Sequence, residues 1–349
     1  MQSLWSHKDY DAHETVHYAN DIGSGLSAII AVHSTHLGPG TGGTRFWHYA
    51  DKADALTDVL RLSRGMSYKN AMAGLPLGGG KGVILAGEAR EKTKDMLAAY
   101  GRAIDSLGGR YVTAEDVGIN DSDMVEIAKQ TKYVSGLPQE DASEAGGDPG
   151  PFTARGVYLG VCAAVRHKLG RESMDGVHVA IQGVGSVGGG LARLLAKDGA
   201  KLTIADMDKD RAAALAAETG AEQVGLSDIM RVEADVFSPN ALGAILDEVS
   251  IANLNVPIVA GGANNQIARP DDAQRLMDRG ILYAPDYVIN AGGVINIGLE
   301  YLGEASVDEV NARIDKIPER LEAIWQRSES EGVPSANVAD RMARELIGR

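Results

Sequence analysis

Cysteine is nearly absent: Cys162 is the only one among 349 residues. No intrachain disulfide and no cysteine-rich metal site can therefore form. Cys162 sits in VYLGVCAAV, an apolar stretch with helical spacing, where a buried structural thiol is expected rather than a reactive one. Aromatic residues are scarce at 5%, and 34 Lys and Arg against 48 Asp and Glu leave a formal net charge of −14. Nucleic-acid and anionic-membrane surfaces need basic patches, so the charge balance argues against both. No apolar run approaches the ~20 residues of a membrane span. The opening MQSLWSHKDYDAHE carries acids where a secretory signal has an apolar core. These shortages point to a soluble, cytoplasmic protein.

Glycine is the residue in excess, with 43 copies, beside a hydrophobic content of 44% that supports real cores. The length exceeds what one ordinary core fills, so two domains are expected. Up to about residue 135, apolar runs (SAIIAVHS, KGVILAG, RYVTAED) alternate with helical stretches such as ADALTDVLRLSRGM and TKDMLAAYGRAIDSLGG. LPQEDASEAGGDPGPF, residues 137–152, is rich in glycine, proline and acids and has no periodicity. It reads as a hinge over 138–152. The second half opens with the helix TARGVYLGVCAAVRHKL. Strand and helix patterns then alternate through VHVAIQGVG, LARLLAKDG, KLTIADMD, RAAALAAETG, ADVFSP, VPIVAGGAN and ILYAPDYVI. That alternation predicts a parallel doubly wound sheet. The expected fold class is α/β, with one domain over 1–137 and a second over 153–334. A helical end, about 335–349, is expected to return to the first domain.

The glycines cluster around chemistry. In GLPLGGGKGVI, residues 74–84, one lysine, Lys81, stands among four glycines. A phosphate loop would need glycine six residues earlier and Ser or Thr next, but those positions hold Leu75 and Gly82. GPGTGGTR (38–45) reads as a second glycine loop. RGMSYKNA (64–71) closes a helix with Met66 and Lys69, and TAEDVG (113–118) places Glu115 and Asp116 at a strand end. In the second half Gly183, Gly185 and Gly188 form GxGxxG between a strand and a helix, with Asp206 ending the next strand. An acid near that offset accepts from adenine-ribose hydroxyls and disfavours a 2′-phosphate, so NAD is favoured over NADP. Lys209 and Arg211 follow closely and leave room for NADP tolerance. Ligands collect at strand carboxyl ends, which makes FSPNALG (237–243) and AGGANNQI (260–267) further candidates. Their Asn240, Asn264 and Asn265 are otherwise ordinary turn residues.

Together LGPGTGGTR, RGMSYKNA, LPLGGGKGVI, TAEDVG, PFTARGV, QGVGSVG, FSPNALGA, AGGANNQ and YAPDYVINAGGVIN resemble, in order, the Glu/Leu/Phe/Val amino-acid dehydrogenases. The likeness is to the branch acting on leucine, valine, phenylalanine and related amino acids. It implies an N-terminal substrate domain, a Rossmann domain and a deep cleft between them. It also implies reversible, NAD-dependent oxidative deamination of an apolar L-amino acid to its 2-oxo acid and ammonia, in a homo-oligomer. By the same resemblance Lys69 binds the substrate carboxylate, helped by backbone amides near Gly42 and Gly43 and with Met66 alongside. Lys81 activates water, with Lys69 as the second cation that lowers its basicity, and Asp116 exchanges protons with the substrate nitrogen. The glycines beside Lys81 are expected to leave room for substrate. Thr41, Ala114, Val294 and Ile297 line the side-chain pocket, with Thr41 a polar wall, and Asn264 serves substrate and cofactor. The cofactor residues are Thr153, Gly183, Val184, Gly185, Ser186, Val187, Gly188, Asp206, Asn240 and Ala241. Aromatic or unusual amino acids, NADP, and a catalytically silent dinucleotide-binding regulator stay open as alternatives.

Overall fold

The structure is a computed structural model and describes residues 3–89, 91–137, 144–303 and 306–349. Residues 138–143 of the expected hinge lie outside the described residues. The chain forms two compact units. Unit one is Met1–Gly147 with Val294–Glu309 and Ala343–Arg349, and unit two is Asp148–Gly293 with Val310–Met342. Val294–Glu309, assigned by sequence to the second domain, therefore has its contacts in the first unit. Among the described residues no helix is long and apolar enough to cross a membrane.

Unit one carries strands β1 (Thr15–Asp21), β2 (Leu26–Ser34) and β3 (Gly40–Trp47), helix α1 (Lys52–Met72), and strand β4 (Gly78–Leu85). Helix α2 (Lys94–Asp105), strand β5 (Tyr111–Ala114) and helix α3 (Asp121–Ala128) follow. The sheet order is β1-β2-β4-β3-β5. β2 runs antiparallel to β1 and β4, whereas β3 runs parallel to β4 and β5. Strand alternation puts one apolar set on each face. Ile29, Ala31 and Val83 meet Val59 and Leu60 of α1. Ile30, Val32 and Ile84 meet Leu97, Tyr100 and Ile104 of α2 and Met124 and Ile127 of α3.

Both glycine segments expected as loops are strands. β3 and β4 pair in parallel, with Thr41 beside Gly79 and Thr44 beside Gly82. The reason is close packing from both sides, a recognised use of glycine inside strands. A Cβ on Gly79 would strike the Ser67 backbone nitrogen of α1, and one on Gly82 would strike the Tyr100 hydroxyl. A Cβ on Gly80 would lie 2.6 Å from the Tyr111 ring. The space over the glycines that flank Lys81 is thus filled by the protein's own atoms, not left for substrate. The two tyrosines belong to a buried hydroxyl cluster. Thr44 Oγ1 lies 2.7 Å from the Tyr100 hydroxyl and 2.6 Å from Thr113 Oγ1, and the Tyr111 hydroxyl donates to the Gly42 carbonyl at 2.7 Å.

The far end of the chain is tied into the same unit. Arg349 donates to the His33 carbonyl at 2.8 Å and to His33 Nε2 at 2.9 Å. Burial first, then Arg349, pulls the fully buried His33 down to about 3, so its ring is neutral. With Nε2 accepting, Nδ1 carries the proton and donates to Ser67 Oγ at 2.8 Å. Arg344 Nε donates to the Tyr68 hydroxyl at 2.8 Å.

Unit two begins with α4 (Gly150–Leu169), β6 (His178–Gln182), α5 (Ser186–Lys197), β7 (Lys201–Ala205), α6 (Lys209–Thr219) and β8 (Glu222–Gln223). It continues with β9 (Val236–Pro239), α7 (Glu248–Asn253), β10 (Ile258–Val259), α8 (Pro270–Asp278), β11 (Leu282–Tyr283) and α9 (Asp286–Ile289). α10 (Gly292–Leu302), α11 (Val307–Ile314), α12 (Ile317–Glu331) and α13 (Ser335–Leu346) complete the chain. The strands run β11-β10-β9-β6-β7-β8, and every pairing is parallel. This is the doubly wound dinucleotide-binding order, with its reversal between β6 and β9. Trp325 of α12 is fully buried and its indole donates to the Tyr283 carbonyl at 3.0 Å. Cys162 on α4 is half-buried, less enclosed than its apolar context suggests, and burial pushes its thiol up, away from the reactive thiolate.

Two glycines test the packing account. Gly79→Ala should lower the thermal midpoint, by the equivalent of about 1–3 kcal/mol, the range for overpacked cores. A methyl group added at Gly65, inside α1, would meet nothing within 4 Å, so Gly65→Ala should raise the midpoint through helix propensity. Equal effects in a melting experiment would refute the distinction.

Candidate active site

Lys81 projects from the middle of β4 with only 6% exposure. Its Nζ lies 3.0 Å from Oδ2 of Asp116, two residues beyond β5. The same oxygen accepts from Arg45 Nε of β3 at 3.0 Å. Arg45 Nη1 donates at 2.8 Å to Oδ2 of Asp58 on α1, which also accepts from the Tyr49 hydroxyl at 2.7 Å. Burial lowers the Lys81 ammonium below the ordinary lysine range, against the opposing pull of Asp116 and with Arg45 adding to the depression. Arg45 is thus a cation that acts beside burial on Lys81. Burial alone would raise the Asp116 carboxyl, but Lys81 and Arg45 outweigh it and hold Asp116 ionised below its usual range.

The other candidate residues come from several elements of unit one. Met66 and Lys69 lie on the last two turns of α1. A Cβ on Gly42 would lie 3.0 Å from Met66 Cγ, and one on Gly43 would lie 2.9 Å from Asp116 Cβ, so both glycines are needed for this approach. Ala114 is buried, and Thr41 is 2% exposed with its hydroxyl donating to the Pro39 carbonyl at 3.2 Å. That bond uses the hydroxyl proton and leaves the oxygen as an acceptor. Val294 and Ile297 sit one turn apart on α10, both half-buried. The helix rests on the approach to β4, where a Cβ on Gly298 would be 3.0 Å from Leu75.

Unit two shows a division of labour among its glycines. Gly183 has φ +84°, the tight turn, and Gly188 packs its α-carbon under the Gly183 carbonyl, where no side chain fits. Gly185 faces open space. It also starts α5 without a side-chain cap, leaving the first amides, from Ser186 and Val187 onward, open to an anion. Asp206 accepts from the Val184 amide at 2.7 Å and the Asp208 amide at 2.8 Å, which holds its carboxylate beside the turn. Arg211 approaches it at 3.8 Å. Asn240 links neighbouring loops: its side chain accepts from Gly262 N at 2.8 Å and donates to the Ser238 carbonyl at 3.0 Å. Ala241 packs on Gly183, 2.7 Å from where its Cβ would be. Asn264 is exposed and accepts from Asn290 at 2.8 Å, whereas Asn265, at φ +52°, is the turn residue. The Thr153 hydroxyl donates to the Pro149 carbonyl at 2.9 Å within α4.

Sequence reasoning assigned nothing to Arg45, Asp58 or Tyr49. Their signal was slight: Arg45 ends the GTGGTR segment, and Asp58 precedes the apolar Val59 and Leu60.

A family model described as Glu/Leu/Phe/Val dehydrogenase, dimerisation domain, matches residues 12–133. A second, described as Glutamate/Leucine/Phenylalanine/Valine dehydrogenase, matches residues 202–347. The chain is 46% identical over 338 residues to a leucine dehydrogenase of Geobacillus stearothermophilus, covering 97% of this chain and 91% of that one. It is 44% identical to a valine dehydrogenase of Streptomyces albus, covering 98% and 94%. The crystal structure of an L-tryptophan dehydrogenase from Nostoc punctiforme superposes with a TM-score of 0.86 at 41% identity, covering 96% of each chain.

Glu115, beside Asp116, offers a check on local electrostatics. Burial first, then a bond to Asp121 and the Asp121 and Asp123 charges, raises its carboxyl from the ordinary 4.5 to about 7. One of its oxygens is buried without a partner among the described residues. A raised carboxyl stabilises the fold below its unfolded value, and that stability is lost as pH rises through about 7. The melting midpoint of Glu115→Gln, relative to wild type, should therefore increase from pH ~5 to pH ~8. A constant difference would place Glu115 in solvent.

Proposed function

The chain belongs to the Glu/Leu/Phe/Val dehydrogenase family, and from that premise we propose that it deaminates an apolar L-amino acid oxidatively, with NAD, to a 2-oxo acid and ammonia. The observation that carries the catalytic reading is the pair of buried Lys81 and half-buried Asp116, 3.0 Å apart, with the lysine shifted toward its neutral form. A lysine serves as a base only when part of it is neutral near the working pH. In this reading Lys69 binds the substrate carboxylate, with the amides near Gly42 and Gly43. Lys81 takes a proton from the water that attacks the imine carbon, and that proton passes to the carbinolamine nitrogen. The neutral Lys81 then takes the hydroxyl proton as ammonia leaves and the carbonyl forms. Asp116, held ionised, accepts and releases protons at the substrate nitrogen. Val294, Ile297, Ala114 and Thr41 face the aliphatic side chain.

NAD supplies a hydride acceptor when bound. The open Gly185, the uncapped amides at Ser186 and Val187, and the Asp206 carboxylate fit its pyrophosphate and adenine ribose. Val184, Gly183, Gly188, Asn240 and Ala241 shape that turn, and Thr153 and Asn264 serve the nicotinamide end. A cytoplasmic homo-oligomer accords with the acidic composition and with the dimerisation domain named for the N-terminal family model.

The test is a panel of amino acids assayed by NADH absorbance. Rates should climb from alanine through valine to leucine, at roughly 0.8 kcal/mol or about fourfold in kcat/KM per buried methylene. Tryptophan or phenylalanine above leucine would favour the aromatic reading that the Nostoc relative's name suggests. No turnover with any amino acid would point to a silent dinucleotide binder. Lys81→Ala should reduce kcat by on the order of 10²–10⁴-fold. Lys69→Ala should chiefly raise KM, by about 10–150-fold for a lost charge-assisted contact of roughly 1.5–3 kcal/mol. The opposite split would exchange their roles. Asp206→Ala should narrow the preference for NAD over NADP, and an unchanged ratio would remove Asp206 from cofactor selection.

A further inference from the structure

We propose that Arg45 is a positioning residue that sets where the Lys81–Asp116 pair keeps its proton, with Asp58 as its counterweight. The proposal rests on the reading of Lys81 as the base. Its ground is a shared atom. Asp116 Oδ2 receives Lys81 Nζ and Arg45 Nε, each at 3.0 Å, so one carboxylate oxygen answers two cations. An ammonium that must divide its counter-ion with a guanidinium is held less firmly than one with a private carboxylate. Asp58 works the other way, because it binds Arg45 Nη1 at 2.8 Å and draws on the guanidinium's charge. The Tyr49 hydroxyl, 2.7 Å from the same Asp58 oxygen, fixes that carboxylate in turn.

Topology puts these groups on one face. Arg45 of β3 is paired with Val83 of β4, two residues beyond Lys81, and strand residues two apart point the same way. Opposite Lys81 on β2 stands Ala31, which brings no charge. From α1 come Asp58 and Lys69, eleven residues or three helical turns apart and so on one helix face. Tyr111 and Tyr100 occupy the opposite sheet face, bonded to Gly42 and Thr44. Glu115, although adjacent to Asp116, is engaged with Asp121. Arg45, the two aspartates and protonated Lys81 sum to zero charge, and Lys69 adds one positive charge that is common to every variant. Removing Arg45 leaves two carboxylates around the ammonium and tightens its proton. Neutralising Asp58 leaves two cations on one carboxylate and loosens it. Burial of Lys81, with Arg45 lowering and Asp58 raising its proton affinity, agrees with both signs.

The opposite signs make the test. The pH dependence of kcat for oxidative deamination is measured at saturating leucine and NAD for wild type, Arg45→Met, Arg45→Lys and Asp58→Asn. Substrate ionisation is common to all, so differences between variants belong to the protein. The acid limb, the rise of kcat as Lys81 loses its proton, should move to higher pH in Arg45→Met by roughly 0.5–1 unit, a three- to tenfold loss of kcat below the limb that alkaline buffer restores. Arg45→Lys should keep the wild-type limb, and Asp58→Asn should move it to lower pH. If Arg45→Met fails to fold by circular dichroism, the direction of the Asp58→Asn shift still decides. Shifts of the same sign, or none, overturn the proposal. Lys81→Ala separates the two levels. If it abolishes turnover while the limb ignores Arg45 and Asp58, only the positioning role falls. If it retains turnover, the reading of Lys81 as base falls and takes the proposal with it.

Discussion

An ammonium group inside a β-sheet must be compensated, because moving an unpaired charge out of water costs several kcal/mol even after relaxation. Much of unit one can be understood as the answer to Lys81. The strand that carries it is flanked so closely by α1 on one face and by Tyr100 and Tyr111 on the other that its neighbours can only be glycine. The same closeness excludes water and weakens the lysine's hold on its proton. Asp116 then has to arrive at the end of β5, and Gly43 has to be bare for it to come within reach. Sheet register, helix position and glycine content are therefore one constraint seen three ways.

Unit two solves a related problem without side-chain charge. Its turn after β6 presents backbone amides, and each glycine there has a separate geometric duty: a left-handed turn at Gly183, an open approach at Gly185, a close helix–strand crossing at Gly188. Asp206 braces the turn through the Val184 amide, so its carboxylate shapes the loop beside it. Asn240 and Asn290 join the loops after β9 and β10 to the same carboxyl end of the sheet.

The parallel sheet was legible because strand and helix patterns of the right length alternate from VHVAIQGVG onward, and those patterns respond to local propensity and burial. Lys81, Asp116 and the glycines of GxGxxG stood out as candidates through motif and resemblance, and the structure pairs Lys81 with Asp116. The strand character of GTGGTR and GGGKG was not. Glycine has low strand propensity, and what keeps it extended here is packing from elements distant in sequence, such as Ser67 and Tyr100. β1 was missed because most of its residues are only half-buried, which blurs alternation. Arg45 and Asp58 were hidden for a similar reason. Their importance lies in a shared contact across 13 residues of chain, and no local pattern records it.

The division of the chain has a bearing on synthesis. Unit one takes most of its mass from the first 147 residues, yet it also draws on Val294–Glu309 and on Ala343–Arg349. Arg349 reaches back to His33, which in turn fixes Ser67 on the helix that covers Lys81. During translation the first-made unit must therefore wait, unfinished, while the whole of unit two emerges and folds. At ordinary elongation rates of about 5–20 residues per second, that interval lasts roughly 10–40 s for the 200-odd intervening residues. A nascent sheet with Ala31 and Val83 on one face and Ile30 and Ile84 on the other then depends on its helices, already made, to shield it from other chains.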